Sequence, residues 1–341
     1  MEHAKLRAGV IGAGLGGHHG YAYAHAPEYE LVAVCDIKPE VFANFYDRAH
    51  LAAGSLHEYT DYRQMLERER LDVVSVATPD HVHANPVCDS AEAGVKGIFV
   101  EKPLAISLTD ADRMIEVTEK HGVKVSVDHT RSWVPSYQHV RRFVREGEIG
   151  PLTRIVCHHG GRRSMLFRNC THTIDALCFF ADSEPLWVIA AHERGFEDYG
   201  TEYKGMGGKD PMLDPGSTII IEFANGTRAI MNSAKNTPQM VEFDLLGPNG
   251  RYVVTDSTAY AWKTDKPEGA LTSVPAPWAE GYKPSFGDTL VPAVQELAQM
   301  IWTDAPSSSP PRRARWTLEI MLAALLSQSR DSAKIYLPLE R

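Results

Sequence analysis

Short apolar runs alternate with amphipathic stretches along the first third of the chain. Arg7 to Ile11 reads as a strand running into a glycine cluster, and Leu31 to Cys35 as a second strand ending at Asp36. Pro39 stands where the first turn of a helix tolerates proline, and Val41, Phe42, Phe45 and Ala49 share one face. Tyr62, Met65 and Leu66 mark a short helix, and Asp72 to Ala77 is a β-branched run of the buried-strand kind. A helix through Val87 and Ala91 closes at Gly94, and Ile98 to Val100 is the next strand. A helix from Asp110 carries Ala111, Met114 and Ile115 on one face, stops at Gly122, and leads into the strand Val123 to Val127. Strand and helix in regular alternation predict βαβ units and a doubly wound parallel sheet, an α/β Rossmann domain over residues 1–128.

The period changes after Asp128. Ser217–Phe223 and Thr227–Ser233 flank Asn225-Gly226, a strong hairpin signal, and Val241–Leu246 and Arg251–Thr255 flank a second turn at Pro248-Asn249-Gly250. A helix near Thr171–Ala181 is expected against this sheet. Leu290, Val294, Leu297 and Ile301 form another helical stripe, and a Ser/Pro-rich segment at Ala305–Pro311 precedes a final helix over residues 312–329. Residues 129–341 are therefore expected to form an α+β domain with an open, largely antiparallel sheet, the final helix packing back on the molecule. The exposed sheet predicts self-association as a homodimer or homotetramer.

At 341 residues the chain is long enough for two such domains. A formal net charge of −9, from 35 Lys plus Arg against 44 Asp plus Glu, argues against a general nucleic-acid binder. No apolar run reaches membrane-spanning length, and the start of the chain has no signal-peptide core, so no membrane association and a cytoplasmic location are expected. Five cysteines without C-x-x-C spacing suit reduced thiols. Fifteen histidines are a surplus that composition alone does not explain.

Chemistry enters at Gly12-Ala13-Gly14-Leu15-Gly16-Gly17, which satisfies G-x-G-x-x-G. A strand precedes it, a helix follows, and Asp36 stands nineteen positions beyond Gly17 at the end of the second strand, the context a dinucleotide fingerprint requires. Gly12 allows the tight turn, Gly14 the approach of a pyrophosphate, and Gly17 close helix–strand packing, with Ala13 and Leu15 in the same loop. Helix N–H groups face the phosphates. Asp36 accepts from a ribose 2′-OH and repels a 2′-phosphate, so NAD is expected in preference to NADP, although Lys38 is close by.

Val10-Ile11-Gly12-Ala13-Gly14, Leu31–Asp36, Thr78-Pro79-Asp80-His81-Val82-His83, Val100-Glu101-Lys102-Pro103-Leu104 and the ending Lys334–Leu339 together resemble the Gfo/Idh/MocA family of sugar and polyol oxidoreductases over nearly the whole chain. The resemblance implies a Rossmann domain plus an open-sheet domain. It implies cofactor contacts at Thr78, Pro79, His83, Glu101, Lys102 and Pro103, and a catalytic role for Lys102. Independently of it, a lysine after a buried strand, at the carboxyl edge of the sheet, stands where ligands of open α/β folds bind. Partly desolvated beside a cationic ring, it would have a lowered pKa and could exchange an alcohol proton. A solvated surface lysine is the plain alternative.

The family's second catalytic element, D-x-G-x-H, is altered. Its best match is Arg168-Asn169-Cys170-Thr171-His172-Thr173-Ile174-Asp175, which aligns His172 with the catalytic histidine and places Arg168 where the family has aspartate. His172 and Asp175 stand at i and i+3, on one helical face, so Asp175 can tune the histidine. The alternative is that Asn169 or Thr171 caps the helix and Asp175 complements its dipole. Arg168 and Asn169 become substrate candidates, an arginine favouring a carboxylate, phosphate or several hydroxyls. Arg131 and Trp133 lie in a segment that lines the family's active site; Trp133 could stack on a sugar ring or be core, and Tyr282 is a weaker candidate. His158, His159, His172 and Asp175 could imitate a metal set, but neighbours on a strand point to opposite faces, and no metal is expected. His18 and His19 read as structural.

The expected activity is NAD-dependent oxidation of a secondary alcohol of a sugar, sugar acid or cyclic polyol. One alternative is a redox-assisted glycosidase, lyase or isomerase that uses tightly bound NAD transiently with no net NADH. Another is a non-catalytic NAD-binding sensor.

Overall fold

The computed structural model describes residues 3–203, 210, 212–266, 269–275 and 287–340. The first elements are β1 (Leu6–Ile11), α1 (Gly16–His25), β2 (Tyr29–Cys35), α2 (Phe42–Ala49), β3 (His57–Tyr59) and α3 (Tyr62–Glu69). They continue as β4 (Val73–Val76), α4 (Ala84–Glu92), β5 (Gly97–Val100), α5 (Leu108–Lys120) and β6 (Lys124–Val127). The six strands pair in parallel in the order β3-β2-β1-β4-β5-β6, a doubly wound sheet whose order reverses beside β1. β4 and β5 are buried at every residue, which is why they read as continuous apolar runs rather than alternating ones. Their carboxyl ends, with that of β1, are where ligands of this architecture bind.

The chain goes on through α6 (Pro135–Arg145), β7 (Arg154–Gly160), α7 (Cys170–Ala181), β8 (Pro185–His192), β9 (Ser217–Phe223), β10 (Arg228–Ala234), β11 (Met240–Gly247), β12 (Gly250–Thr255), β13 (Ala259–Lys263), β14 (Thr272–Val274), α8 (Val291–Thr303), α9 (Pro311–Gln328) and β15 (Ile335–Tyr336). The second sheet has nine strands in the order β14-β13-β12-β11-β7-β10-β9-β8-β15. All its pairs are antiparallel except β10 with β7, so it is mixed and largely antiparallel, and both hairpins stand where their Asn-Gly turns place them. α7 packs on β7 and β10, and α6 on β12. Alternate residues of β9 and β10 are buried, as a sheet with one covered face requires.

Two compact units result: Met1–Thr130 with Pro284–Arg315, and Arg131–Lys283 with Trp316–Arg341. Residues 284–315 thus return to the first unit, whereas the sequence places everything after 128 in the second. Packing explains the difference. A Cβ at Gly97 would lie 2.8 Å from Ile301 Cδ1 and 3.2 Å from Leu297 Cδ1, and the Tyr29 hydroxyl donates to the Val294 carbonyl at 2.6 Å. The apolar stripe of α8 therefore packs on β5 and β6, with α1 alongside. All five cysteines are buried free thiols, and no helix among the described residues is long and apolar enough to cross a membrane.

Candidate active site

The glycine loop links β1 to α1. Gly12 has φ +97°, and a Cβ there would stand 2.5 Å from the Ala77 carbonyl oxygen and 2.8 Å from the Thr78 nitrogen. Only glycine fits this turn. At Gly14 no described atom lies within 4 Å of the Cβ position, so the loop leaves open space where a Cβ would project. The third glycine's expected role passes to its neighbour. A Cβ at Gly16 would meet Val10 Cγ1 of β1 at 2.7 Å, whereas one at Gly17 would meet Arg48 Cβ of α2 at 2.8 Å. Gly16 therefore permits the helix–strand approach and Gly17 the helix–helix one, because α1 turns its successive residues toward different layers. Leu15 is the N-cap residue and is partly exposed, no side chain caps α1, and its first turn has no acidic residue. That terminus suits an anion.

Asp36 lies beside the loop, its Oδ2 accepting from the Ala13 N–H at 2.8 Å and its Oδ1 from the Lys38 N–H at 3.0 Å. The loop after β4 brings Thr78 and Pro79 alongside; Thr78 Oγ1 is buried with no hydrogen-bond partner among the described residues. An orphaned hydroxyl, open space at Gly14, an uncapped helix terminus and a fixed carboxylate are a donor set that fits a dinucleotide. His83 is wholly buried, its Nε2 2.9 Å from the Thr78 carbonyl and its Nδ1 3.0 Å from that of Pro103. It braces the loops after β4 and β5 against each other.

Glu101-Lys102-Pro103 follows β5. The Glu101 N–H donates to the Val76 carbonyl, and its Oε2 accepts from the Lys102 N–H at 3.1 Å. Lys102 is half-buried, while Glu101 is 5% exposed. Glu101 Oε1 lies 3.4 Å from His19 Nε2, which is 3.7 Å from Asp128 Oδ2. His19 Nδ1 is 3.1 Å from Ser75 Oγ, itself 2.9 Å from the Tyr23 hydroxyl. Burial alone would raise Glu101, but the His19 hydrogen bond and charge, with Lys102, outweigh it and hold the carboxyl at about 2. Burial, then the charge of Glu101, pushes Asp128 up to about 7. Neither His19 nor Asp128 stands out in the sequence. His18 and His19 are chemically identical neighbours, and only the face of α1 that meets the sheet distinguishes them.

The second unit carries Arg168, Asn169, His172 and Asp175 around the start of α7. Asn169 occupies the N-cap position without a side-chain cap bond, and its carbonyl accepts from the His172 N–H at 3.1 Å. His172 and Arg168 are half-buried, and Asp175 is buried. The histidines at 158 and 159 point to opposite faces of β7, one exposed and one buried, and among the described residues they do not converge with His172 and Asp175 on a common point. His159 Nδ1 instead lies 2.7 Å from Thr173 Oγ1, and burial, then the charge of Arg131, pushes this imidazole down to about 3. Asp214, which the sequence does not single out, is wholly buried, and both its carboxylate oxygens accept from the Phe167 N–H. It is a carboxylate packed against the residue that precedes Arg168.

Arg131 is held by a bidentate pair with Asp256, at 2.8 and 2.9 Å, and Tyr137 donates to the same carboxylate at 2.8 Å. Any substrate contact by Arg131 shares its guanidinium with Asp256. Trp133 is 7% exposed, the burial of a core residue. Tyr282 lies outside the described residues.

Residues 6–129 match the family model described as an oxidoreductase family with an NAD-binding Rossmann fold, GFO_IDH_MocA. An uncharacterized oxidoreductase of Bacillus subtilis, YrbE, is 26% identical over 68% of this chain and 67% of its own length. A levoglucosan dehydrogenase of Pseudarthrobacter phenanthrenivorans is 24% identical over 90% of this chain and 91% of its own. Relatives at 30–35% identity, a D-apiose dehydrogenase and an inositol 2-dehydrogenase among them, align over less than half of their lengths. The solved structure of a levoglucosan dehydrogenase with NADH and L-sorbose superposes with a TM-score of 0.80 at 20% identity, covering 98% of this chain and 100% of that one. Residues 6–129 thus form an NAD-binding Rossmann domain that matches the Gfo/Idh/MocA oxidoreductase family.

Proposed function

We propose that the protein is an NAD-dependent dehydrogenase that oxidises a secondary alcohol of a sugar, sugar acid or cyclic polyol. The observation that carries this reading is Lys102. It is half-buried at the carboxyl edge of the parallel sheet, and its backbone is fixed by a buried glutamate in the same unit as the glycine loop and Asp36. Gly12, Ala13, Gly14, Leu15, Asp36, Thr78 and Pro79 would hold the dinucleotide, which when bound supplies the two-electron acceptor for the alcohol carbon. Lys102 takes the hydroxyl proton, His172 relays it, and Asp175 orients His172. Arg168 and Asn169 bind the remaining hydroxyls or an acid group of the substrate. Relatives named as levoglucosan, D-apiose and inositol dehydrogenases support a carbohydrate or polyol substrate.

A second reading is favoured by Arg168, which stands where the family has an aspartate. Without that carboxylate, transient oxidation could activate an adjacent bond for elimination, with no net NADH. A panel of sugars and polyols, followed at once by NADH absorbance and product chromatography, separates the two. Net NADH with one polyol supports the dehydrogenase. Product without NADH supports the redox-neutral enzyme, and NAD binding with no product from any compound leaves only a sensor. On the substrate found, His172→Asn is expected to lower kcat about 10²-fold with NADH affinity unchanged; full retention of kcat would remove His172 from the relay.

We also propose that the protein self-associates through the less covered face of the nine-stranded sheet. Ile189, Ile220, Ile230 and Val156 stand opposite one another across β8, β9, β10 and β7 and are all half-buried. This apolar row suits a like face in a second copy. Light scattering is expected to give a dimer or tetramer mass, and Ile220→Glu with Ile230→Lys to lower it; a monomeric wild type refutes the assembly.

A further inference from the structure

The His19–Glu101–Asp128 cluster has no place in the proton relay just described, yet it is built at the foot of Lys102. Val100 of β5 and Val127 of β6 are register partners, and the Asp128 N–H donates to the Val100 carbonyl at 2.8 Å. Glu101 and Asp128 therefore leave the sheet side by side from the carboxyl ends of adjacent strands. His19 of α1 turns one ring nitrogen to both carboxylates and the other to Ser75. The three are 0%, 5% and 1% exposed. Two carboxylates this deeply buried and sharing one imidazole cannot both ionise cheaply. Asp128 Oδ1 is buried with no hydrogen-bond partner among the described residues, and an orphaned oxygen costs less on a neutral acid than on a carboxylate.

We propose that Asp128 is a positioning residue for Lys102: with His19 and Glu101 it holds a buried, exchangeable proton whose presence or loss sets how firmly Lys102 keeps its own. The proposal rests on Lys102 being the proton-exchanging group. The groups facing the cluster are His18 and Tyr23 on α1, Ser75 on β4, His83 at the start of α4, and Lys102 itself. Of these, Lys102 is the cation whose charge acts on both carboxylates. Glu101 is held as the anion and Asp128 sits near neutrality, so the cluster gains one negative charge as pH rises through about 7. That charge favours the ammonium form of Lys102. Asp128→Asn keeps the shape of the neutral acid and can never acquire the charge, so its Lys102 should release its proton at lower pH.

The test reads Lys102 directly, without turnover. Full-length protein free of cofactor is labelled with trace acetic anhydride across about pH 6 to 11, and the Lys102 peptide is quantified by mass spectrometry. Asp128→Asn is expected to move the Lys102 midpoint down by about one pH unit, with thermal unfolding unchanged. An unmoved midpoint in a folded variant overturns the proposal. The wild-type curve is a second measurement, independent of whether the variant folds. With Asp128 ionised below the range where a lysine releases its proton, the wild-type Lys102 midpoint is expected above the ordinary lysine value, and a midpoint at or below that value overturns the proposal as well. Failure of the proposed function is a different result: no polyol yields NADH or product, whatever the labelling midpoint.

Discussion

Lys102→Ala is expected to lower kcat about 10³-fold while leaving NADH affinity within about twofold, measured by initial rates and by cofactor fluorescence. The reason is positional. Lys102 follows a strand buried at every residue, its N–H is fixed by Glu101, and its half-buried ammonium lies in the field of that carboxylate. Alanine removes the amine proposed as the base without disturbing the strand. Lys102→Arg should be nearly as slow, because a guanidinium keeps the charge but does not surrender its proton at workable pH. An alanine variant with wild-type kcat would remove Lys102 from the reaction. Loss of cofactor affinity with kcat preserved would reassign it to binding.

Gly12→Ala and Gly14→Ala, only two residues apart, are expected to fail in opposite ways. At Gly12 the added Cβ meets backbone atoms of Ala77 at 2.5 and 2.6 Å, with φ at +97°, where an L side chain is strained in any case. Ala77 is itself tied to Ile11 by a backbone hydrogen bond, so neither partner can yield without opening the β1–β4 edge. Destabilisation by about 3 kcal/mol, roughly 6–12 °C in Tm, is the expected result in thermal unfolding. At Gly14 the Cβ meets nothing, so Tm should stay within about 1 °C. The same Cβ would occupy the space proposed for a pyrophosphate, and NADH should bind at least about tenfold more weakly. A Gly14→Ala protein with wild-type affinity would show that the cofactor does not approach the loop there. Titration of the wild type with NADPH uses the same assay. The Asp36 carboxylate, fixed by two backbone N–H groups, should disfavour a 2′-phosphate by at least about tenfold. Equal affinity would refute the preference for NAD.

The Rossmann unit was legible because its signals are local. β-branched runs, the glycine spacing and Asp36 at the end of β2 each lie within a few residues of what they specify. The two hairpins with Asn-Gly turns were legible for the same reason. β8 and β13 were not, since apolar residues such as Leu186 and Tyr260 also stand at their exposed positions and blur the alternation. Nor was the return of α8 to the first unit, because an amphipathic stripe says that a face is buried but not against what.

The candidate site divides along the same line. The chain order of residues by itself determined the fold class, the dinucleotide loop and the lysine after β5. Tertiary structure alone decided that Gly16 rather than Gly17 meets β1, that Arg131 is bound to Asp256, and that His19 and Asp128 converge on Glu101. Asp128 and Glu101 are neighbours because β5 and β6 pair in register, and His19 joins them because α1 packs that face on the sheet. Local conformation follows from adjacent residues. Proximity between residues far apart in the chain follows from strand order and helix packing, which no short stretch of sequence encodes.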